Sequence, residues 1–221
     1  MTGETAPLRV RDISLAIEPG LPTWPGSAGF RVHSTSQISA GDSANVSVVE
    51  LDVHTGTHVE GPLHFIDGGA PVDAFPLEQF VGPARVVHVD GEAVTAAALD
   101  ALAIEADPPR LLIRTANSER WARGWGPFDQ VFVSLTTDAA RWIADRGFML
   151  AGIDHLSIQS YTDDGGTHRV LMRAGVAILE GLNLAGIAPG RYLLIAAPIR
   201  LMGVEAAPAR ALLIESGTVS A

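Results

Sequence analysis

The stretch His54-Thr-Gly-Thr-His-Val-Glu-Gly-Pro-Leu-His64 (HTGTHVEGPLH) holds three of the seven histidines in a chain of 221 residues. A carboxylate, two glycines and a proline lie among them. A straight strand of this length spans about 33 Å and would keep the first and last histidines far apart. A helix would place His54 and His58 on one face, but Gly56 between two threonines disfavours a helix.

Two bends resolve this conflict. We expect a strand to end near His54, and Gly56 then lets the chain turn back. Gly61 and Pro62 form a second bend. His54, His58 and Glu60 then converge, with His64 beside them. Such a cluster of titratable residues indicates a metal site or a proton-transfer site, and the alternative is chance clustering on a surface loop.

Composition limits the classes of function. The chain is 47% hydrophobic and 18% charged, which is typical of a globular protein. Its length suits one domain over residues 1–221. The net charge of −10 disfavours binding to a nucleic-acid backbone. There is no cysteine, so a metal would need nitrogen and oxygen ligands.

The location of the protein is predicted from its apolar segments. No apolar run reaches the roughly 18–20 residues of a membrane span. The start of the chain lacks a basic segment followed by an apolar one, so we expect no signal peptide. We therefore expect a cytoplasmic protein with no membrane partner.

Patterns of branched and apolar residues predict more strand than helix. The predicted strands are 8–17, 29–38, 45–54, 84–89, 111–114, 130–134, 176–179, 192–196 and 211–215. The predicted helices are 95–106, 137–146 and a short one near 168–173. The sequence therefore predicts a single mixed α/β domain.

The motif resembles the signature H-x-G-T-H-x-D-x-P-x-H of the cyclase family of metal-dependent hydrolases, which includes bacterial kynurenine formamidase and isatin hydrolase. Similar segments occur along essentially the whole chain. They are residues 12–14, 22–26, 152–154, 157–158, 168–169, 178–182, 197–199 and 208–211.

The resemblance implies an α/β domain of the swivelling β/β/α type, with a barrel-like mixed sheet and flanking helices. It implies hydrolysis of an amide by metal-activated water, on an aryl formamide such as N-formylkynurenine or on a cyclic amide. A ring-closing cyclase or dehydratase of antibiotic (polyketide) biosynthesis is the first alternative, and a non-catalytic metal-binding protein is the second. The resemblance also implies a small-molecule substrate and a homodimer or higher homo-oligomer.

The resemblance assigns roles to seven residues. His54, His58 and Glu60 would bind one divalent ion, and His168 and Glu180 would complete a site for a second. His64 would be the catalytic acid and base, and Trp24 would line the substrate pocket. Nitrogen and oxygen ligands suit zinc or manganese and do not choose between them.

Glu60 departs from the family pattern, which has aspartate at this position. The charge is kept, but the side chain is one methylene longer. Bridging two ions about 3.5–4 Å apart depends on reach. The number of ions, one or two per chain, therefore stays open at this point.

Three other features carry competing interpretations. Asp154 is expected to orient the site or to cap a loop, and His155 to be exposed or to pack locally. Trp24 alone, without the resemblance, is typical of a loop tryptophan that packs on its own core. No serine lies in the G-x-S-x-G turn of a serine hydrolase, so that class is disfavoured.

Overall fold

The computed structural model describes residues 8–124 and 126–215. Within these ranges the strands are β1 Arg9–Asp12, β2 Phe30–Ser36, β3 Val46–Leu51, β4 His58–Glu60, β5 Val81–His88, β6 Arg110–Arg114, β7 Leu150–Ile153, β8 Ala177–Glu180, β9 Gly190–Ile195, β10 Ala206–Pro208 and β11 Leu212–Glu215. The α-helices are α1 Ala96–Ala101, α2 Asn117–Ala122, α3 Thr137–Asp145 and α4 Gly166–Arg173. Short 3-10 turns cover Ile38–Ala40, Pro62–His64, Val72–Ala74 and Leu77–Gln79.

Nine strands form one curled, half-barrel mixed sheet in the order β1-β11-β9-β5-β6-β7-β8-β4-β10. The central strands β5, β6, β7 and β8 run parallel, and the outer strands pair antiparallel. Strands β7 and β8 are buried throughout, which explains why β7 and the first three residues of β8 are apolar with no alternation. The predicted mixed sheet with a barrel-like core and few helices is therefore confirmed.

The two faces of the sheet pack against different cores, and this decides where the polar side chains point. Leu111 and Ile113 of β6 join a core shared with α3 and α4, whereas Leu112 joins the core on the opposite face. In β8, Ile178 belongs to the helical core and Leu179 to the other. Because successive side chains in a strand alternate, Glu180 lies on the same, helical face as Ile178.

Most predicted elements are present with shifted ends, but the predicted strand 130–134 is wrong. This segment forms no ladder, and only the following Leu135 makes isolated bridges, to Val94 and Gln159. The side-chain amide of Asn117 replaces the missing partner strand: it donates to Val133 O at 2.7 Å and accepts from Val133 N at 3.1 Å. Prediction from apolar periodicity missed β4, β7, β10 and α2.

Strands β2 and β3 form a separate two-stranded sheet that is exposed along most of its length. It carries several apolar side chains into solvent, among them Val32, Val46 and Val49. Across the described parts of the chain, the search for a helix long and apolar enough to cross a bilayer found none.

Candidate metal centre

Strands β4 and β8 place three polar side chains on one face of the sheet. Their antiparallel register sets His58 opposite Glu180 and Glu60 opposite Ile178. Directly opposite residues point to the same face, so His58, Glu60 and Glu180 all face the helical side. Val59, between the two motif residues, packs into the opposite core and fixes this orientation.

The loop before β4 and the residue after β8 approach each other very closely. Gly181 has φ +69°, and a Cβ at this position would collide with the carbonyl group of Gly56. Thr57 Oγ1 donates to Gly181 O at 2.5 Å and accepts from Leu15 N at 2.8 Å. Two glycines and one threonine therefore fasten the motif loop to the end of β8, which lies more than a hundred residues later.

Helix α4 contributes His168 from above the same face. Asp163, three residues before the helix, accepts from Gly166 N at 2.8 Å and from Thr167 Oγ1 at 2.7 Å and so stabilises the first turn. The His168 ring stacks on Phe65 at 4.4 Å between centroids, and its Nδ1 lies 2.6 Å from Oε1 of Gln159. These contacts hold the ring with Nε2 directed at the two glutamates.

The five predicted ligand residues come together in two overlapping groups: His54, His58 and Glu60 in one, and Glu60, His168 and Glu180 in the other. In each group the donor atoms lie within 4.8 Å of one another. Oε1 of Glu60 is 2.9 Å from Nδ1 of His54 and 3.4 Å from Nε2 of His58. Nε2 of His168 lies 3.0 Å from Oε2 of Glu60 and 3.1 Å from Oε1 of Glu180.

The two buried carboxylates of the cluster, Glu60 and Glu180, need compensating positive charge. The side chains of Glu60 and Glu180 are each only 2% exposed, and their ion-pair partners among the described residues are histidines alone. A buried carboxylate is costly unless a positive charge compensates it. All the donors are imidazole nitrogens and carboxylate oxygens, a set that suits a divalent cation. The residues present therefore fit a bound metal.

In the metal-free protein, protons take the place of that charge. Burial alone would lower the pKa of His58, but hydrogen bonds to Glu180 and Glu60 outweigh it and raise the pKa to about 10. Burial acts on His168 in the same way, and the charge of Glu60 with hydrogen bonds to both glutamates raises its pKa to about 9. Burial would raise the pKa of Glu60, but the charge and hydrogen bond of His168 hold it well below its usual range.

His64 lies beside the cluster but outside both ligand groups. It follows β4 in the turn Pro62–His64, and its Nε2 is 3.5 Å from Oε1 of Glu60. Its side chain is 30% exposed, so it opens to solvent. Burial lowers the pKa of His64, which leaves a neutral imidazole at neutral pH.

A cavity of about 310 Å³ opens over this cluster. Glu60, His54, His64 and His168 form its polar side, and Trp24, Phe65 and Leu156 contribute apolar walls. Trp24 also packs against Phe128 and Tyr161, with centroids 5.2 and 5.3 Å away. Trp24 therefore lines the cavity and also packs locally, so its position agrees with both interpretations given above, a pocket wall and a locally packed loop residue.

Asp154 and His155 lie outside both ligand groups. Asp154 is fully buried and accepts hydrogen bonds from Thr115 and Ser118, so it anchors the start of α2. His155 stacks on Phe132 at 3.6 Å, and burial lowers its pKa to about 3. Asp154 therefore holds the loop before α2, and His155 packs locally and is not exposed.

Sequence reasoning missed the groups that orient the histidines. Gln159 holds His168, the carbonyl of Gly56 lies 3.0 Å from Nδ1 of His58, and Phe65 stacks on His168. Ile158 N donates to Oε1 of Glu180 at 2.6 Å. Two of these four contacts use main-chain atoms, which leave no signature in a sequence, and a lone glutamine or phenylalanine carries no spacing signal.

Known proteins are similar to this chain in sequence and in fold. The sequence model of the Cyclase family, described as "Putative cyclase", matches residues 11–160. Cyclase-like protein 1 of Arabidopsis thaliana is 35% identical over 217 residues, covering 94% of this chain and 85% of the relative.

Two solved structures superpose on nearly the whole chain. A protein described as a potential metal-dependent hydrolase with cyclase activity has a TM-score of 0.82 at 34% identity, with 96% of this chain and 100% of that chain covered. Isatin hydrolase A of Labrenzia aggregata has a TM-score of 0.78 at 24% identity, with 95% and 94% covered, and shows a shared fold. Because the family model spans most of the chain and the plant relative extends over nearly all of it, this protein belongs to the cyclase family.

Proposed function

We propose that the protein is a metal-dependent hydrolase that cleaves the amide bond of an aromatic substrate. The observation that carries this proposal is the placement of His64. Five buried or half-buried ligand residues form two groups that share Glu60, and His64 lies next to them, unused as a ligand and open to the cavity. A purely structural metal site is closed and needs no such group.

The metal ligands of the proposal are His54, His58, Glu60, His168 and Glu180, with zinc or manganese as the ion. A divalent cation bound there would polarise a carbonyl oxygen and make a water molecule more acidic. The separation of the two groups, with one Glu60 oxygen directed at each, supports two ions per chain.

His64 carries the proton transfer in this proposal. Because burial lowers its pKa, the imidazole is neutral at the start and accepts a proton from the attacking water. It then delivers that proton to the amide nitrogen as the carbon–nitrogen bond breaks. Water thus adds its hydroxyl to the carbonyl carbon and its proton to the nitrogen, which gives a carboxylic acid and an amine.

The cavity supports an aromatic substrate. Trp24 and Phe65 offer flat apolar surfaces beside the polar cluster, and about 310 Å³ lies at the small end of the range for ligand sites. An arylamine leaves more readily than an alkylamine, which suits an aryl formamide such as N-formylkynurenine. A cyclic aryl amide fits the same walls, and isatin hydrolase shares the fold.

A second candidate function is ring closure. The 34% identical structure is described as having cyclase activity, and the same cluster could polarise a carbonyl group for cyclisation or dehydration. In that reaction His64 would remove a proton from the substrate itself and not from water.

Assays of the metal-loaded protein separate these functions. We expect formate release from N-formylkynurenine or ring opening of a cyclic aryl amide, lost on chelation and restored by zinc or manganese. Turnover of a ring-opened polyketide substrate alone would favour the cyclase. Tight metal binding with no turnover of any of these substrates would show a non-catalytic metal-binding protein and refute the proposal.

A further inference from the structure

We infer that Glu205 is a positioning residue for His54: its carboxylate accepts the outward-facing proton of that imidazole and so strengthens metal binding. The inference rests on the proposed metal site. It concerns a residue that lies outside both ligand groups and outside the sequence motif.

His58 and His168, two of the three candidate ligand histidines, each have a hydrogen-bond partner on the ring nitrogen that faces away from the cluster. His58 directs Nε2 at the glutamates, and its Nδ1 lies 3.0 Å from the carbonyl oxygen of Gly56. His168 directs Nε2 at the same glutamates, and its Nδ1 lies 2.6 Å from Oε1 of Gln159. Each ring is therefore fixed by an acceptor on the side away from the centre, as metal-binding imidazoles commonly are.

His54 faces the centre with the opposite nitrogen. Its Nδ1 lies 2.9 Å from Oε1 of Glu60, so Nε2 points outward. That Nε2 is buried and has no hydrogen-bond partner among the described residues. The carboxylate that faces it is Glu205, whose Oε1 lies 3.7 Å away.

The contact between His54 and Glu205 becomes important when metal binds, because the position of the His54 ring proton then changes. Without metal, the 2.9 Å contact between Nδ1 of His54 and Oε1 of Glu60 is a hydrogen bond only when Nδ1 carries a proton, because a carboxylate oxygen accepts. A metal ligand must offer its lone pair, so a cation at Nδ1 moves the ring proton to Nε2. A buried N–H without an acceptor is unfavourable, and Glu205 is the acceptor in reach.

The position of Glu205 is fixed while its side chain can move. Its carbonyl oxygen accepts from Gly61 N at 2.7 Å, and the next residue, Ala206, pairs with Glu60 across β10 and β4. The side chain is 39% exposed, and its one ion-pair contact among the described residues is the one to His54. The carboxylate would have to approach Nε2 from 3.7 Å to within about 3.2 Å to accept a hydrogen bond, and no other ion pair of the described residues holds it back.

Metal titration of the purified chain tests the inference. Zn²⁺ is titrated, in competition with a chromophoric chelator, into the metal-free wild type, Glu205→Ala, Glu205→Gln and the control Glu50→Ala. Glu50 lies on β3 with its side chain 65% exposed. We expect Glu205→Ala to weaken Zn²⁺ binding about 10- to 100-fold, in the binding phase that His54→Ala abolishes. Glu205→Gln, which keeps an acceptor oxygen, should lose less, and Glu50→Ala should match the wild type.

A Co²⁺ spectrum supplies a readout that a folding defect would not reproduce. We expect the visible bands of Co²⁺ bound to Glu205→Ala to shift, because the His54 ring is no longer held. Wild-type affinity and an unchanged spectrum in Glu205→Ala would overturn the role of Glu205 and leave the proposed function intact. Failure of the wild type to bind Zn²⁺ or Co²⁺ would overturn both.

Discussion

Oε2 of Glu60 lies 3.0 Å from Nε2 of His168. The other oxygen of the same carboxylate faces His54 at 2.9 Å, so one side chain spans the two ligand groups. The family motif has aspartate here, and the extra methylene raised the question of reach. Glu60 starts from a strand fixed between β8 and β10, and its longer side chain reaches both groups from there.

This shared position predicts an ordered loss of metal in variants. We expect about two ions per chain in the wild type, about one in His168→Ala, and fewer than one in Glu60→Ala, because only Glu60 belongs to both groups. Metal per chain is measured by elemental analysis after removal of loosely bound ions. Equal metal content in His168→Ala and Glu60→Ala would contradict a shared carboxylate.

Replacing His64 should remove turnover and leave the metal in place. Loss of a positioned acid and base costs about 10²- to 10⁴-fold in kcat. His64 lies outside both ligand groups, so the metal content of His64→Ala should equal that of the wild type. Metal loss in this variant would make His64 a ligand, and wild-type turnover would remove it from the mechanism.

The proton affinities of His58 and His168 predict how metal binding depends on pH. In the metal-free folded chain their pKa values are about 10 and 9, above the ordinary imidazole value. Both rings are therefore protonated at about pH 8 and must lose their protons when they bind metal. We expect zinc binding at this pH to release about two protons and to tighten as the pH rises.

Calorimetry in two buffers with different ionisation enthalpies measures this proton release. Metal binding with no net proton release at about pH 8 would show that the rings are neutral before metal arrives.

The same pKa values predict how the stability of the metal-free fold depends on pH. Unfolding lets both histidines return to a pKa near 6.5, so their contribution to stability is complete below that value. It declines as the pH rises through the folded values of about 9 and 10.

The convergence of the motif could be predicted from the sequence, but the elements that complete the cluster could not be predicted from spacing. The spacing from His54 to His64 and its two bends favoured convergence, and the structure brings these residues together. The link to His168 and Glu180 came from resemblance, since twelve residues of separation indicate nothing alone. The reason these residues meet, the pairing of β4 with β8, depends on a long-range register that local periodicity does not encode.

The fold was predicted where strands are long and apolar, and missed where pairing is local to the site. Strand β4 has three residues, and two of them are the polar candidate ligands His58 and Glu60, so it lacks a strand pattern. The predicted strand 130–134 has the right composition, but the Asn117 side chain satisfies Val133 in place of a neighbouring strand. Contacts between side chains and the main chain override propensity here.

Trp24 should contribute to substrate binding and not to the chemical step. Removal of its stacking surface in Trp24→Ala should raise KM for an aryl amide about 2- to 10-fold, the range expected for one aromatic contact, with metal content unchanged. Trp24→Phe keeps a flat ring and is the matched control, with a smaller effect. An equal rise in KM for an aliphatic formamide would show that Trp24 shapes the loop and does not stack on the substrate.

Asp154 should be required for the stability of the fold and, by way of the segment that it holds, for metal binding. Its carboxylate accepts from the backbone N and the hydroxyl of both Thr115 and Ser118. Asp154→Asn keeps the volume but sets an NH₂ group against these donors, which should cost about 2–4 kcal/mol of unfolding free energy in urea. The exposed Asp145→Asn should stay within about 0.5 kcal/mol of the wild type.

The same variant should also loosen the metal centre. The carbonyl of the next residue, His155, accepts from Gly181 N at 2.6 Å, directly after the candidate ligand Glu180. Because Asp154 holds this segment, we expect Asp154→Asn to weaken the binding phase that His168→Ala abolishes and to spare the phase that depends on His54. Metal titration measures both phases, without urea and at a temperature at which the variant is folded. Equal weakening of the two phases would show a general loss of stability, with no path from Asp154 to Glu180.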